Sequence, residues 1–133
     1  MNNVILYEEL TMNAHPAIQT QLLDGAVLRF AAGYTKRANS VNPLYSSEIS
    51  NKISYCEYIY TSQGLPTVFK LTPLSFEALD KTLEAKGYNK VEPSNLMTRT
   101  IPLEVISDYN AIVTNNINEE WQLTMNIVKK AWI

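Results

Sequence analysis

Apolar residues recur at helical spacing in two segments of the chain. Over Ser46–Ser62 they fall three or four positions apart, which places them on one face of a predicted helix. The residues of that face are Ile49, Ile53, Cys56 and Tyr60. A second predicted helix covers Ser75–Lys86, where Phe76, Leu79 and Leu83 repeat the pattern.

Short apolar runs between turn residues predict the strands. Asp24-Gly25 is predicted as a turn, and the run Ala26–Ala32 that follows it as a largely buried strand. Lys36–Val41 is expected to pair with that strand across the intervening Gly33-Tyr34-Thr35 loop. Further strands are predicted at Pro66–Thr72, Asn89–Ile101 and Ala111–Thr114.

Both ends of the chain are predicted to be helical. Tyr7–Leu23 favours two short helices separated at His15-Pro16, because proline interrupts the interior of a helix. Asn118 can cap a final helix, whose apolar stripe contains Trp121, Met125, Val128 and Trp132. Elements in this order predict an α/β fold of the α+β kind. We expect a mixed central sheet of about five or six strands, flanked by helices on both faces.

The composition narrows the class of protein. A chain of 133 residues with 46% apolar and 18% charged residues fits one folded domain. The net charge of −2 argues against a nucleic-acid binder. No apolar run approaches the length of a membrane span, and the first residues do not resemble a signal peptide. The single cysteine cannot form an internal disulfide, so a cytoplasmic setting is expected.

The segment Gly33–Pro43 concentrates the residues best suited to bind an anion. Lys36, Arg37, Asn39 and Ser40 combine two cations with two short hydrogen-bonding side chains, in a loop expected to lead toward a helix N-terminus. They form the candidate site for the anionic group of a substrate or ligand. The alternatives are an ordinary exposed loop and polar side chains that only cap a turn. Arg37 could enter a pocket or pair with Glu48 or Glu57.

Other reactive residues have simpler interpretations. Glu57 could act as a general base if buried, although an exposed or salt-bridged glutamate is favoured. Cys56 lacks a neighbouring histidine and is predicted to be a small core residue. His15 has no companions at metal-ligand spacing, so no metal site is predicted. Tyr55 and Tyr58 are expected at an interface.

The second half of the chain resembles the GNAT superfamily of acetyl-coenzyme A-dependent N-acetyltransferases. The matching segments are Phe69–Thr72, Leu79–Tyr88 and Leu96–Ile101, which are similar to that family's strand, helix with Gly-Tyr turn, and final strand. The first half resembles the N-terminal GNAT-like domain of a two-domain bacterial group. That resemblance rests on Asp24-Gly25, Leu28-Arg29, Gly33–Val41, Cys56-Glu57, Tyr60 and Gly64-Leu65-Pro66.

The resemblance implies transfer of an acetyl group from acetyl-CoA to the amine of a small molecule or a peptide. It does not identify a catalytic base. The family binds the coenzyme pyrophosphate with a glycine-containing loop, and the corresponding place here, Arg37–Ser46, contains no glycine. The resemblance therefore assigns the main coenzyme-binding half to a second GNAT domain that this chain lacks. The alternative is a non-catalytic substrate-recognition or dimerisation module.

The expected organisation is a GNAT-like domain over residues 1–104 and a trailing segment and helix over residues 105–133. The trailing helix ends in Trp132-Ile133. Burial of a large apolar side chain contributes about 1.5–3 kcal/mol, so this end is expected to be covered. It would dock on this domain, on the second GNAT domain or on the partner of a homodimer. A homodimer in which each chain supplies half of a site is a further alternative.

Overall fold

Three antiparallel strands, in the order β1-β2-β3, form the sheet that organises the first part of the chain. The computed structural model describes residues 3–45, 48–101, 116, 118 and 119. The chain divides into two compact units, Met1–Pro93 and Ser94–Ile133. The first unit contains the described helices and strands, which are α1 (Val4–Ala14), β1 (Gln19–Leu23), β2 (Ala26–Phe30), β3 (Ser40–Pro43), α2 (Ile53–Ser62) and α3 (Glu77–Ala85).

A two-residue turn joins β1 to β2. Asp24 and Gly25 have φ angles of 42° and 82°, and Leu23 pairs with Ala26. Two consecutive residues in the left-handed region make a turn whose twist matches that of an antiparallel hairpin, and Asp-Gly is a preferred pair for it. The turn predicted at this dipeptide is confirmed.

A parallel contact extends the sheet beyond β3. Val41 donates its N–H to the carbonyl of Val68 (2.8 Å) and accepts from the N–H of Lys70 (2.9 Å), so that Val41 pairs with Phe69. In a parallel ladder the next bond on this side would come from the N–H of residue 43. That residue is Pro43, which has no N–H, and the pairing stops there. The sheet is therefore mixed, with one parallel bridge.

Helices cover both faces of this sheet. Leu28 on β2 and Val41 on β3 face a buried core to which α2 and α3 contribute Cys56, Tyr60 and Leu79. The opposite face carries the alternate residues of the same strands. On that side the Arg29 guanidinium donates to the carbonyl of Met12 in α1. The predicted α+β class, with helices on both faces of a mixed sheet, is confirmed.

Tyr60 connects α2 to the middle strand. Its hydroxyl donates to the carbonyl of Arg29 (2.9 Å) and accepts from the N–H of the same residue (3.2 Å). Its ring lies 4.8 Å from that of Phe30 and has no exposed surface. Tyr60 therefore satisfies a peptide group of β2 while it fills the core. Burial raises the pKa of its hydroxyl above the ordinary tyrosine value, which keeps the hydroxyl protonated.

The N-terminal segment differs from its prediction. Residues predicted as a second short helix form β1, because Gln19–Leu23 pairs along its whole length with β2 through the tight turn. Tertiary pairing here overrides local preference. The helix before it does end close to the proline, since α1 stops at Ala14 and Pro16 follows.

The strand after the 31–39 loop begins later than predicted. Lys36–Ala38 forms a 3₁₀ turn, and the hydroxyl of Thr35 accepts the N–H of Ala38. The pairing of this segment with β2 is antiparallel, as predicted, but it starts at Ser40.

The helix predicted from Ser46 also begins later. It starts at Ile53, after a 3₁₀ turn at Ser50–Lys52. Glu48 accepts the N–H of Ser50 with its own carboxylate, which satisfies this backbone donor before the helix begins. The four residues of the predicted apolar face are nevertheless all buried.

Among the described residues, the sheet has fewer strands than the five or six predicted. Pro66–Thr72 contributes only the bridge at Phe69, and the N–H of Thr72 donates to the Ser75 hydroxyl. The predicted strand Asn89–Ile101 is not formed among the described residues. Within it, Glu92 has a left-handed φ of 54° and the next residue, Pro93, has no N–H to donate.

Two predicted elements lie outside the described residues. These are the strand Ala111–Thr114 and most of the final helix after Asn118, and with them the apolar end Trp132-Ile133. The trailing segment therefore stays a prediction. Within the described part of the chain, no helix has the length and apolar character needed to cross a bilayer.

Tyr60→Phe should lower the free energy of unfolding by about 2 kcal/mol. The change keeps the ring but removes both hydrogen bonds to the peptide group of Arg29, which also lies opposite Ser40 in the β2–β3 ladder, and each such bond contributes about 1 kcal/mol. Urea unfolding measures the effect. Tyr58→Phe on the exposed side of the same helix is the matched control and should change little. Equal stabilities for the two variants would contradict this role of the hydroxyl.

Candidate functional site

The loop between β2 and β3 is held from within by Asn39. Its side-chain oxygen accepts the N–H groups of Ala31 (2.7 Å) and Gly33 (3.0 Å), and its amide donates to the carbonyl of Thr35 (2.7 Å). The residue is 5% exposed. These bonds use the side chain to fix the loop, which corresponds to the turn-capping alternative for this residue.

The two cations of the loop have different surroundings. Lys36 is exposed and forms an ion pair with Glu92. Arg37 is exposed, and within residues 3–45 and 48–101 its guanidinium has no hydrogen-bond or ion-pair partner. Glu48 and Glu57, the predicted alternatives for pairing, bond instead to the Ser50 N–H and to the Tyr88 hydroxyl. The anion site predicted here stays a prediction, with Arg37 as its available cation.

The loop does not lead into a helix. It follows the end of β2 and is followed by β3, and α2 begins only beyond the far end of β3. A strand of four residues spans about 13 Å, so the N-terminus of α2 lies at the opposite end of the sheet. The expectation that this loop uses the dipole of that helix is therefore wrong, because β3 turns the chain back before the helix starts.

Ser40 lies apart from the other three predicted residues, in a buried polar layer. Ser40 and Asn42 are 1% and 2% exposed and project from the face of the sheet opposite the α2–α3 core. The Asn42 amide donates to the hydroxyl of Ser40 (3.2 Å), to its carbonyl (2.9 Å) and to the carbonyl of Val27 (3.3 Å). The Asn42 Oδ1 is buried without a partner in the described structure. A buried acceptor without a hydrogen bond lowers the stability of the fold, and such acceptors are rare in protein interiors.

A partly buried ion pair between Glu8 and Lys70 lies on the same face. Glu8 of α1 is 7% exposed, and its carboxylate is 2.5 Å from the ammonium of Lys70. Because residue 41 pairs with residue 69, Lys70 projects beside Asn42 on the neighbouring strand. The ion pair therefore fixes α1 over the place where the parallel pairing ends.

The sequence arguments missed this layer. Glu8 and Lys70 are 62 positions apart, and only the parallel bridge brings them together. The sequence contains one signal for this layer. Glu8 lies four positions before Met12, so both residues fall on the same face of the first helix. Such a glutamate can face a sheet, but the pattern names no partner for it. The strand predicted over Lys36–Val41 ends one residue before Asn42, so the pattern assigns Asn42 to no element.

The other reactive residues are held in structural contacts. Cys56 is fully buried, and burial raises the pKa of its thiol to about 11, which disfavours the thiolate. Its prediction as a core residue is confirmed. Burial also raises the pKa of Tyr88 above the ordinary value, and its hydroxyl donates to Glu57 (2.9 Å). Among the described residues, no group of three or more His, Cys, Asp and Glu side chains could hold a metal ion.

Comparison with known proteins decides the family. Residues 4–129 match the family model described as "Probable histone acetyltransferase Rv0428c C-terminal". The chain belongs to this acetyltransferase family. It is also 32% identical over 98 residues to the "Uncharacterized N-acetyltransferase YobR" of Bacillus subtilis (strain 168), a match that covers 74% of this chain. No solved structure matches the chain significantly.

The chain is therefore a GNAT-type N-acetyltransferase domain, as the resemblance implied. It matches 40% of the length of the Bacillus relative. The family description refers to a C-terminal region, whereas the resemblance described above was to an N-terminal domain.

The two loop residues Arg37 and Asn39 should respond differently to alanine. Asn39→Ala should lower the free energy of unfolding by about 2–3 kcal/mol, because two backbone N–H groups lose a buried acceptor. Arg37→Ala should change it by less than about 0.5 kcal/mol, since the side chain is exposed. Chemical denaturation of both variants checks this. A destabilised Arg37→Ala would show that the guanidinium holds the loop.

Cys56 should make stability fall at alkaline pH. Its pKa is raised from an ordinary 9.0 to about 11 in the folded chain, so the folded state disfavours the thiolate. The resulting contribution is complete below about pH 9 and is lost as pH rises to about 11. Urea unfolding across this range, compared with Cys56→Ala, isolates the effect. If both chains lost stability equally, the thiol would not be its source.

Proposed function

We propose that this domain takes part in the transfer of an acetyl group from acetyl-CoA to an amine, as one part of a larger enzyme. The acceptor nitrogen forms a bond to the acetyl carbon, the carbon–sulfur bond breaks, the amine proton leaves to a base and the thiolate is released. The family membership supports the reaction class. The histone in the family description suggests a lysine amine on a protein as one acceptor, beside small amines.

The observation that carries the proposal is the single parallel bridge between β3 and residues 68–70. Val41 uses its N–H and its carbonyl in this bridge, and Pro43 cannot continue it. Among residues 3–45 and 48–101, the edge of β3 beyond Val41 is thus left without a paired strand. An extended ligand that contains amide groups, such as the pantetheine arm of the coenzyme, can hydrogen-bond to strand edges as another strand would.

The phosphate end of the coenzyme fits this chain less well. In the structure the connection from β3 to the helix that follows is Leu44–Lys52, and it contains no glycine. Its one cation, Lys52, is already paired with Asp24. We therefore propose that this chain alone binds acetyl-CoA weakly or not at all. A further GNAT domain or a second copy would then complete the coenzyme site.

The buried polar layer supports a role in positioning. Glu8 and Lys70 hold α1 over the end of the parallel pairing, and the layer continues through Asn42 and Ser40. In an acetyl transfer enzyme, such fixed polar groups beside the open strand edge can orient an acceptor amine. The ion pair already engages Glu8, so we do not assign it as the base.

The second candidate is a non-catalytic recognition or dimerisation module. The absence of glycine from Leu44–Lys52 favours it, since close approach of a backbone to phosphates depends on small residues. The exposed tyrosines Tyr55 and Tyr58 on α2 offer a surface suited to an interface. A domain of this kind would bind a partner or an acceptor while coenzyme chemistry took place elsewhere.

Pro43→Val tests the catalytic proposal. Valine supplies the missing N–H and can extend the parallel ladder to the carbonyl of Lys70, which closes the edge. In the complete gene product we expect the KM for acetyl-CoA to rise about tenfold, the equivalent of about 1.4 kcal/mol. Acetylation of an amine acceptor panel that includes a lysine peptide provides the assay.

The control is Pro66→Val, an exposed proline ahead of the parallel segment, which should leave the KM unchanged. A folded Pro43→Val enzyme with the wild-type KM would contradict the role of the strand opening. In parallel, acetyl-CoA is titrated calorimetrically into the 133-residue chain. Micromolar or tighter binding would overturn the proposed weakness of the isolated chain, and a complete gene product without acetyl transfer would favour the module.

A further inference from the structure

A cleft of about 390 Å³ opens between the end of α1 and the β1–β2 hairpin. It lies on the face of the sheet that carries Arg29, and it is distinct from the strand edge at Pro43. Its walls are largely apolar and come from Met12, Pro16, Ala17, Leu22 and Val27. This volume falls within the range of clefts that hold small organic ligands.

Arg29 forms the polar end of the cleft. The residue is 4% exposed, and its guanidinium donates to three backbone carbonyls, those of Met12, His15 and Arg37. A guanidinium has five N–H donors, so these bonds leave two without a described partner. No carboxylate of the described residues pairs with it.

A buried cation without a counterion is an unusual arrangement. Carbonyl dipoles compensate part of the charge, as they do where arginine interacts with the C-terminal end of a helix. Burial lowers the pKa of Arg29 from its ordinary value, yet arginine stays protonated at neutral pH. An anion that enters the cleft would supply the negative charge that the described residues do not.

Two neutral polar side chains lie beside the cation. Thr20 is directly opposite Arg29 in the β1–β2 register, and Asn13 lies at the end of α1. Neither side chain makes a hydrogen bond within the described part of the chain. Leu22, one of the apolar walls, is 78% exposed, so within the described part of the chain the cleft is open on this side.

We propose that this cleft is a binding site for a small monocarboxylate with an aliphatic or aromatic body. Arg29 would receive the carboxylate through its remaining donors, with Thr20 and Asn13 as neutral partners. The apolar walls would cover the rest of the ligand. The proposal concerns this cleft alone and does not rest on acetyl transfer.

The shape and charge of the cleft favour this ligand over other anions. A single arginine at the end of an apolar pocket matches a single carboxylate, whereas a phosphate group usually gathers several cations or backbone N–H groups. A neutral amide of the same shape would fill the walls but would leave the buried charge uncompensated. The site should therefore bind benzoate more tightly than it binds either benzamide or inorganic phosphate.

The test uses amide chemical shifts of the isotopically labelled chain during titration with benzoate. We expect a saturable response at Ala17, Thr20 and Leu22, with benzamide and inorganic phosphate each at least about tenfold weaker, which corresponds to about 1.4 kcal/mol. Ala17→Trp fills the cleft without touching Arg29 and should abolish the response. Lys81→Gln removes an exposed cation on α3, which does not line the cleft, and should leave the response intact.

Arg29→Lys gives a direct test of the cation, provided that circular dichroism shows the native fold. Benzoate affinity should fall at least about tenfold, because lysine cannot reach the carbonyls and the ligand with the same planar fork. Equal responses to benzoate and benzamide, or equal affinities for benzoate and phosphate, would overturn the assignment. So would an undiminished response in Ala17→Trp.

Discussion

Arg29 is the residue through which both helical layers are joined to the sheet. Its backbone N–H and carbonyl bond to the hydroxyl of Tyr60 in α2, and its side chain bonds to carbonyls at the end of α1 and in the 31–39 loop. A strand alternates its side chains between the two faces, whereas its peptide groups lie in the plane of the sheet. The tyrosine hydroxyl reaches that plane from the core side, while the guanidinium reaches the other side. The position of α1 and the entrance of the cleft therefore both depend on one buried charge.

A second constraint comes from a donor that is missing. Pro43 is fully buried at the end of β3, where a residue with an N–H would continue the parallel pairing. Proline is usually found on edge strands or at the ends of pairing. Here Pro43 stops the parallel pairing between β3 and residues 68–70 directly after the bridge at Val41. The sheet thus keeps a fully packed core on the α2–α3 side, although the hydrogen bonding between β3 and residues 68–70 ends at Val41.

Local patterns were sufficient for the features that depend on local geometry. Asp24-Gly25 predicts its turn because few other dipeptides accept two left-handed conformations, and the periodic apolar residues of α2 and α3 identify the core face. The polar layer was not predictable in this way. Glu8 and Lys70 meet only because residue 69 pairs with residue 41, and a sequence does not show which strands will be neighbours. Likewise, the later start of α2 depends on backbone donors that are satisfied by Glu48.

The predicted loop site, which stays a prediction, shows how much of a residue's surroundings its type leaves open. Lys36, Arg37, Asn39 and Ser40 are adjacent in sequence, yet the structure gives them four different surroundings: an exposed ion pair, an exposed guanidinium, a set of internal loop bonds and a buried layer. The turn of the chain into β3 separates them, because consecutive strand residues face opposite sides. The four side chains would share one environment only if residues 36–40 formed a single loop, but Ser40 already belongs to β3.

The face beneath α1 departs from what stability alone would favour. The carboxylate of Glu8 is buried in its ion pair with the half-buried Lys70, and burial of a charge costs free energy even when it is paired. An unpartnered buried acceptor such as Asn42 Oδ1 carries a direct cost as well. The opposite face of the same strands shows that this chain can build an apolar core with full burial. Local rules that are broken on one face and kept on the other are typical of a functional surface. The face beneath α1 is therefore the part of this domain whose residue types are least well explained by stability alone.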